Sequence, residues 1–200
     1  MAVPASAPNR QHLRRELRLQ RRHFSGPERR QAETRVARSL LSHPWFVRAR
    51  NIGIYMAFDG ELDLTSVFNP ASQRRKQLFA PQLSRSRWRM CFVHWGSGAT
   101  EMALNQYGIR EPIAGRSIDR RSLDLVLVPL VAFDAFGTRL GMGGGHYDRL
   151  FSFLSTRRIW RHPKLLGIGF ELQRQDPLPK EPWDISLHGA ITEQRRYYFT

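Results

Sequence analysis

No part of the chain leaves less choice of fold than residues 124–149, DLVLVPLVAFDAFGTRLGMGGGHYDR. Leu125, Val126, Leu127 and Val128 form an unbroken apolar run that Pro129 closes. A strand that is apolar on both faces must be covered on both faces, as parallel strands are in layered α/β domains. A shorter apolar segment at residues 130–133 leads into a turn at 134–137. After Arg139 come Gly141, Gly143, Gly144 and Gly145, and from His146 the pattern turns helical, with Leu150, Phe151 and Leu154 on its apolar face.

A glycine loop between a buried strand and a helix suits a phosphate. Glycine lets the backbone approach a ligand closely and adopt positive φ. Free amides and the dipole at the following helix start favour an anion. Arg139 and Arg149 can add charge-assisted bonds, and Asp148 can hold magnesium, which takes one or two carboxylates together with phosphate oxygens. The spacing is neither the GxGxxG of a dinucleotide fold nor the GxxxxGK[ST] of a P-loop. The competing reading is a flexible turn with a helix cap.

Charge enters next. The net charge is +15 over 200 residues, and it comes almost wholly from arginine, since Lys76, Lys164 and Lys180 are the only lysines. Such a surface attracts polyanions in general, from nucleic acid to ATP or a polycarboxylate, and selects none of them. The 41% hydrophobic and 24% charged content is ordinary for a globular chain, expected here as one domain over residues 10–200 behind a loose stretch at 1–9. Cys91 is the sole cysteine, so no intrachain disulfide forms and a cytoplasmic setting is expected. It sits in an apolar run and reads as core rather than nucleophile. No stretch approaches the ~18 apolar residues of a membrane span, and the start of the chain lacks the apolar region of a signal peptide.

Along the chain, residues 10–24 read as a helix with Leu13 and Leu17 on one side and arginines around them. Those arginines form either a solvated or RNA-contacting face, or part of a ligand site. Ser25 or Gly26 caps a second helix that runs to about Ser42, where His43-Pro44 ends it. Residues 51–56 read as a strand and 58–63 as a loop, with Asp63 or Thr65 capping a helix that reaches about Lys76. Residues 77–81 and 90–95 read as a strand pair off the main helical layers. The helix from His146 extends towards Trp160, residues 165–170 form a buried strand, and 176–182 form a proline-rich loop. The tail at 195–199 is basic and aromatic, suited to the core or to a weak nucleic-acid contact. Strands alternating with helices argue an α/β domain with its loops gathered at one sheet end. No HExxH, zinc-type CxxC or GxSxG pattern occurs.

RLGMGGGHYDR resembles the RLGxGxGYYD signature of the 5-formyltetrahydrofolate cyclo-ligase (5,10-methenyltetrahydrofolate synthetase) family. The likeness extends to FDGELD at residues 58–63, to YGIREP at 107–112 (the family's YGIxEP), and to WDISLHGAIT at 183–192, beside the family's WDIPLDxxIT. The resemblance implies a three-layer α/β sandwich: a mostly parallel, Rossmann-like sheet with helices on both faces. It implies ATP as co-substrate and magnesium as cofactor. Arg10 and Arg14, on the family's KxxLR pattern, would meet the ATP phosphates with Arg139, Leu140, Gly141, Met142, Gly143, Gly144, Gly145, His146 and Tyr147. Met56, Glu61, Tyr107, Met142, Gly143, Gly144, Gly145 and His146 would line the folate site, and Asp148 and Asp184 would face magnesium. Read from the residues alone, Glu61 is a surface loop carboxylate and Tyr107 either stacks on a ligand or simply packs.

Here Arg10 stands where the family has lysine, Met142 where many relatives have Tyr or Arg, His146 where Tyr or Phe is usual, and His188 where Asp or Pro is usual. His146 adds a ring whose ordinary pKa lies in the neutral range, so His146→Phe is expected to keep activity and flatten the pH profile between about pH 5 and 8. The implied reaction is the ATP- and magnesium-dependent conversion of 5-formyltetrahydrofolate to 5,10-methenyltetrahydrofolate, with ADP and phosphate released. It needs no protein nucleophile. Arg14, Arg139 and Asp148 would work by positioning and charge. The expected partners are a reduced folate and ATP, with no membrane and a monomeric chain. An RNA-binding protein and a folate- or nucleotide-binding relative without turnover are the alternatives. RNA finds no RNP, KH or zinc-knuckle signature.

Overall fold

The structure, a computed structural model, describes residues 9–68, 76–83, 89–96, 100–156 and 162–199. The expected loose stretch at 1–9 lies outside them except for Asn9. Three helices come first: α1 (Arg10–His23), α2 (Gly26–Leu41) and α3 (Pro44–Arg48). Strands β1 (Asn51–Gly53), β2 (Gln77–Leu83) and β3 (Met90–Trp95) follow. A small hairpin of β4 (Met102–Leu104) and β5 (Arg110–Pro112) precedes β6 (Ser117–Ile118) and the central strand β7 (Leu125–Pro129). A second hairpin, β8 (Ala132–Phe133) with β9 (Arg139–Leu140), leads to α4 (His146–Phe151) and α5 (Phe153–Thr156). Strands β10 (Lys164–Ile168), β11 (Gly189–Ile191) and β12 (Arg196–Tyr198) end the chain.

The main sheet runs in the order β12-β11-β10-β7-β1-β2-β3-β6. Strands β11, β10, β7, β1 and β2 are parallel, and antiparallel β12 at one side and β3 and β6 at the other extend it. Strand β7 shows why its sequence is apolar throughout. Leu125 and Leu127 enter one core with Val36 and Leu40 of α2 and Phe46 of α3. Val126 and Val128 enter a second core with Phe151 of α4 and Phe153 of α5. Period-two alternation sends neighbours to opposite faces, and helices cover both. Helix α1 belongs to neither layer. Its Leu17 packs on Val131, Ala132, Leu140 and Leu178, beyond the sheet end. Its arginines are thereby brought to the loops.

The α/β layering matches the expectation, and several boundaries differ. The strand at 51–56 shortens to β1. Ile54 still donates to the Phe79 carbonyl at 2.8 Å, but the Tyr55 hydroxyl donates to the Leu62 carbonyl and the chain leaves the sheet. The helix after Asp63 is a 3₁₀ turn at Thr65–Phe68, capped by Asp63 through the Thr65 amide at 2.7 Å, and residues 69–75 lie outside the described residues. The helix from His146 stops at Phe151. Ser152 returns its hydroxyl to the Arg149 carbonyl at 3.1 Å, the local bond by which serine competes with helix geometry. Its extension through 157–161 lies outside the described residues.

His43-Pro44 ends α2 and also starts α3, whose Trp45 amide donates to His43 Nδ1 at 3.2 Å. The Ser25 cap makes no side-chain bond. The pair read as lying off the main layers, β2 and β3, is instead part of the main sheet, with β2 parallel to β1 and β3 antiparallel to β2. The tail becomes β12 against β11. Among the described residues no helix is long and apolar enough to cross a membrane.

Candidate active site

In an open parallel sheet, ligands bind outside the carboxyl ends of the strands, where the strand order reverses. Here that point lies between β1, whose successor β2 is on one side, and β7, whose successors β10 and β11 are on the other. Tyr55 and Met56 after β1, and Pro129 and Leu130 at the end of β7, line a cleft of about 670 Å³ at that place. Arg10, Arg14, Glu61, Tyr107, Arg139, Met142, Tyr147, Asp148, Asp184 and Gly141, Gly143, Gly144, Gly145 and His146 line it too. Of the residues named from sequence, Leu140 departs: it is 1% exposed and packs with Leu17 in the core beneath α1.

The glycines act as space. A Cβ on Gly141 would meet Arg139 Nη1 at 2.9 Å, and one on Gly144 would meet the His146 ring at 2.8 Å. Gly143 at φ +104° and Gly145 at φ +61° hold conformations that side chains resist. Arg14 Nε donates to the Gly141 carbonyl at 2.9 Å, which pins α1 to the loop. Arg149, read as a phosphate partner, turns back onto the loop: Nη2 donates to the Gly144 carbonyl at 2.6 Å and meets His146 Nδ1 at 3.3 Å. Burial and the Arg149 charge push the His146 pKa below the ordinary histidine value. Both effects favour the neutral ring.

Two ion pairs cross the cleft. Arg139, 7% exposed, donates to Asp148 Oδ1 at 2.7 Å and lies 5.6 Å from the Tyr147 ring centre. The Ile185 amide also donates to Asp148 Oδ1, at 3.2 Å, so both bonds fall on one carboxylate oxygen. Arg10 grips Asp184 with two bonds, 2.7 and 3.2 Å, and the Glu181 amide adds a third at 2.9 Å. Burial alone would raise the Asp184 pKa, but the bonds from Arg10 and the Glu181 amide outweigh it and hold the carboxylate ionised below its usual range. Among the described residues no three His, Cys, Asp or Glu side chains converge as a ready-made cation cage.

The other end of the cleft is built on the loop at residues 58–61. Asp59, at φ +53°, accepts from Arg18, Arg21 and Arg22. From α2, Arg29 donates to the Gly60 and Glu61 carbonyls at 3.1 and 2.8 Å. The α1 arginines that read as a solvated or RNA-contacting face therefore include three that clamp this loop, joined by Arg29 of α2. Glu61 is held inside it. Its Oε2 accepts from the Phe58 amide at 3.2 Å, and Arg21 Nη1 stands 4.0 Å from Oε1. Burial pushes the Glu61 pKa up to about 7, with Arg21 partly opposing. A carboxyl poised near neutrality in a cleft is a functional-site candidate, and this one is not the surface group its loop suggests.

Tyr107 comes from the β4–β5 hairpin and meets His146 edge-on, ring centres 6.0 Å apart, so it both packs and lines the cleft. Asn105 and Glu111 of that hairpin also line it and were missed. Glu111 accepts from the Leu83 amide at 3.0 Å and from Asn105 at 3.1 Å, which ties hairpin to sheet. Trp183, 67% exposed, is another missed lining residue, though it neighbours Asp184 in sequence. His188 lies elsewhere: Nδ1 accepts from the Leu165 amide at 3.0 Å. Cys91 is half-buried rather than core, and burial with Glu111 nearby pushes its thiol pKa up, the reverse of what a nucleophile needs.

A family model described as the 5-formyltetrahydrofolate cyclo-ligase family matches residues 6–193. The chain is 31% identical over 188 residues to the 5-formyltetrahydrofolate cyclo-ligase of Escherichia coli, covering 90% of this chain and 97% of that one. It is 33% identical over 187 residues to the enzyme of the same name from Haemophilus influenzae, covering 91% and 96%. Among solved structures, the 5,10-methenyltetrahydrofolate synthetase of Aquifex aeolicus superposes with a TM-score of 0.81 at 30% identity, covering 94% of this chain and 92% of that one.

Proposed function

The chain belongs to the 5-formyltetrahydrofolate cyclo-ligase family, and from that premise we propose how its cleft converts 5-formyltetrahydrofolate into 5,10-methenyltetrahydrofolate with ATP as co-substrate. The chemical difficulty is that a formamide carbonyl is a poor electrophile until its oxygen becomes a leaving group. In the proposed sequence the formyl oxygen attacks the γ-phosphorus of ATP and ADP departs. N10 then attacks the activated carbon and loses its proton, and phosphate leaves carrying the former formyl oxygen.

The protein's part is to align the two substrates and stabilise charge. Arg10, Arg14 and the backbone around Gly141, Gly143, Gly144 and Gly145 receive the phosphates. Arg139, held by Asp148 beneath the loop, fixes the floor of that subsite. Met56, Glu61, Tyr107 and Met142 face the folate, with Glu61 accepting N–H donors of the pterin. His146 and Tyr147 sit between the two ends.

Magnesium fits the donor set. Asp148 lies beside the glycine loop with Arg139 and Ile185 both bonded to Oδ1, and magnesium needs few protein carboxylates when phosphates complete its shell. Asp184, here paired with Arg10, would be the second carboxylate to hold the ion. When bound, the ion would neutralise charge on the transferring phosphoryl group.

One observation supports the reading above the rest: a single cleft carries the glycine loop, Arg14 and Asp148 at one end and the near-neutral carboxyl of Glu61 at the other. A monomer of 23.3 kDa is the proposed working unit, which sedimentation tests. A reducing cytoplasm suits the sole cysteine. The test mixes purified protein with 5-formyltetrahydrofolate, ATP and magnesium and follows the ultraviolet absorbance of the methenyl product, with Asp148→Ala alongside. Product that requires ATP and magnesium and collapses in the variant is the expected result. Folate binding without product would overturn it in favour of a binding-only relative.

A further inference from the structure

Arg21 is the most deeply buried cation near the cleft, at 1% exposure. Nothing in the reaction as described uses it. Its guanidinium joins three segments: Nη1 donates to the Leu130 carbonyl after β7 at 3.0 Å, Nη2 donates to the Asp59 carbonyl at 2.8 Å and to Asp59 Oδ2 at 3.2 Å, and Nε reaches the same carbonyl at 3.2 Å. Nη1 also stands 4.0 Å from Glu61 Oε1. A buried arginine bonded so fully to backbone has its fork fixed in direction, which a lysine point charge would lack.

The other charged groups around Glu61 leave the task to Arg21. Asp59 is anionic and opposes a second negative charge. Arg18 lies farther out, on Asp59, and Arg22 is on the same carboxylate and half exposed. Tyr55, buried after β1, and Tyr147, half-buried in α4, are phenols pushed up by desolvation and by Glu61, so neither carries charge at neutral pH. Arg29 meets the Glu61 backbone rather than its carboxyl.

We propose that Arg21 is a positioning residue for the reaction: fixed to the loop backbone, it faces the Glu61 carboxyl and favours its charged form, and so sets how tightly the reduced folate is gripped. The inference rests on the folate role given to Glu61 above. It also means that one helix serves both substrates, with Arg10 and Arg14 at the phosphate end of α1 and Arg21 behind the folate carboxylate.

The experiment compares Arg21→Met, Arg21→Lys and Arg22→Met with the parent protein, measuring kcat and both KM values from pH 6 to 9. Thermal unfolding of each variant establishes that it is folded. Arg21→Met is expected to raise the folate KM about tenfold at pH 7 while the ATP KM stays within about twofold, because the lost cation acts on one subsite. The acid limb of kcat/KM for folate should move up by about one pH unit, since removing a neighbouring cation favours the neutral acid. Arg21→Lys should fall between parent and methionine variant, and Arg22→Met, which takes a cation from Asp59 but none facing Glu61, should leave the acid limb at its parental position. If Arg21→Met does not fold, the limb in Arg21→Lys decides. A parental acid limb in the folded variants, or equal rises in both KM values, would overturn the proposal. Absence of turnover in the parent itself would instead overturn the functional reading on which it rests.

Discussion

Arg10 and Asp184 stand 174 residues apart in sequence and meet as a two-bonded pair across the mouth of the cleft, at 2.7 and 3.2 Å. The pair satisfies both partners before nucleotide arrives, and it must open if Arg10 is to reach a phosphate. Asp184 is then released beside the same phosphates. Asp184→Asn keeps an acceptor for the Glu181 amide and removes the charge. It is expected to raise the magnesium concentration for half-maximal rate severalfold. Asp148→Asn is expected to raise it by more than about tenfold, because its carboxylate adjoins the glycine loop directly. Magnesium titrations at fixed ATP measure both, and an unchanged midpoint in Asp148→Asn would remove that residue from the metal side.

Glu61 carries an energetic consequence that its substitution should expose. Its pKa is raised by burial from 4.5 to about 7. Between those values the folded protein binds a proton that the unfolded chain has lost, so this group's contribution falls as pH rises through that window. The full swing is about 3 kcal/mol. Glu61→Gln keeps the shape and abolishes the titration. It should be more stable than the parent at pH 8, nearly equal at pH 4, and poor in folate KM. Denaturant midpoints across pH 4–8 read this, and parallel parent and variant curves would contradict it.

His188 and His43 work in the opposite direction. Each is pushed down to about 4, His188 by burial and then Lys164 and His162, His43 by burial and then Arg196. The unfolded chain takes protons on these rings below its ordinary value of 6.5 while the native protein refuses them, so stability is present above that pH and is lost as pH falls towards 4. His188→Asn retains an acceptor for the Leu165 amide. It should reduce the stability lost between pH 6.5 and 4 by about 3 kcal/mol, whatever its effect at pH 7. Urea unfolding at those two pH values provides the comparison.

What the sequence makes legible here is what is local. The apolar run of β7, the glycine loop, Arg139 and Asp148 fall within one stretch; the run fills the two cores, and the loop, Arg139 and Asp148 line the cleft. Leu140 is the exception because it alternates with Arg139 on β9 and takes the core side. What stays hidden depends on partners far along the chain. Arg21 is one arginine among many on α1, and its meaning arises from Asp59, 38 residues on, and Leu130, 109 residues on. The available signal was positional: Arg18, Arg21 and Arg22 share one helix face at i, i+3 and i+4. Glu61 reads as a surface group because the sequence does not display the clamp that buries it. The break at Ser152 is hidden for a different reason, since the apolar periodicity of Leu150, Phe151 and Leu154 continues past it while a serine hydroxyl takes a backbone carbonyl.

The clamp itself supplies the last test. Asp59 is a nearly buried carboxylate facing Arg18, Arg21 and Arg22. Burial would raise its pKa, yet the bonds from Arg18 and Arg22 prevail and hold it below the usual carboxylate value. Asp59→Asn keeps a side chain that tolerates the positive φ of +53°, so backbone strain does not confuse the result. It removes the only carboxylate these three cations share and leaves them repelling one another, with Arg21 unable to reach solvent. Breaking one partner of a buried pair costs about 3–5 kcal/mol, and that loss is expected here at low ionic strength. Added salt screens the exposed Arg22 and partly exposed Arg18 but not Arg21, so part of the loss should be recovered by 0.5 M salt and part should persist. The persistent part should appear in function as a raised folate KM, because Arg18, Arg21 and Arg22 then hold the loop that carries Glu61 less firmly. Chemical denaturation at low and high salt, with both KM values measured alongside, tests the sequence of effects; a variant as stable as the parent at low salt would show that the arginines do not depend on Asp59.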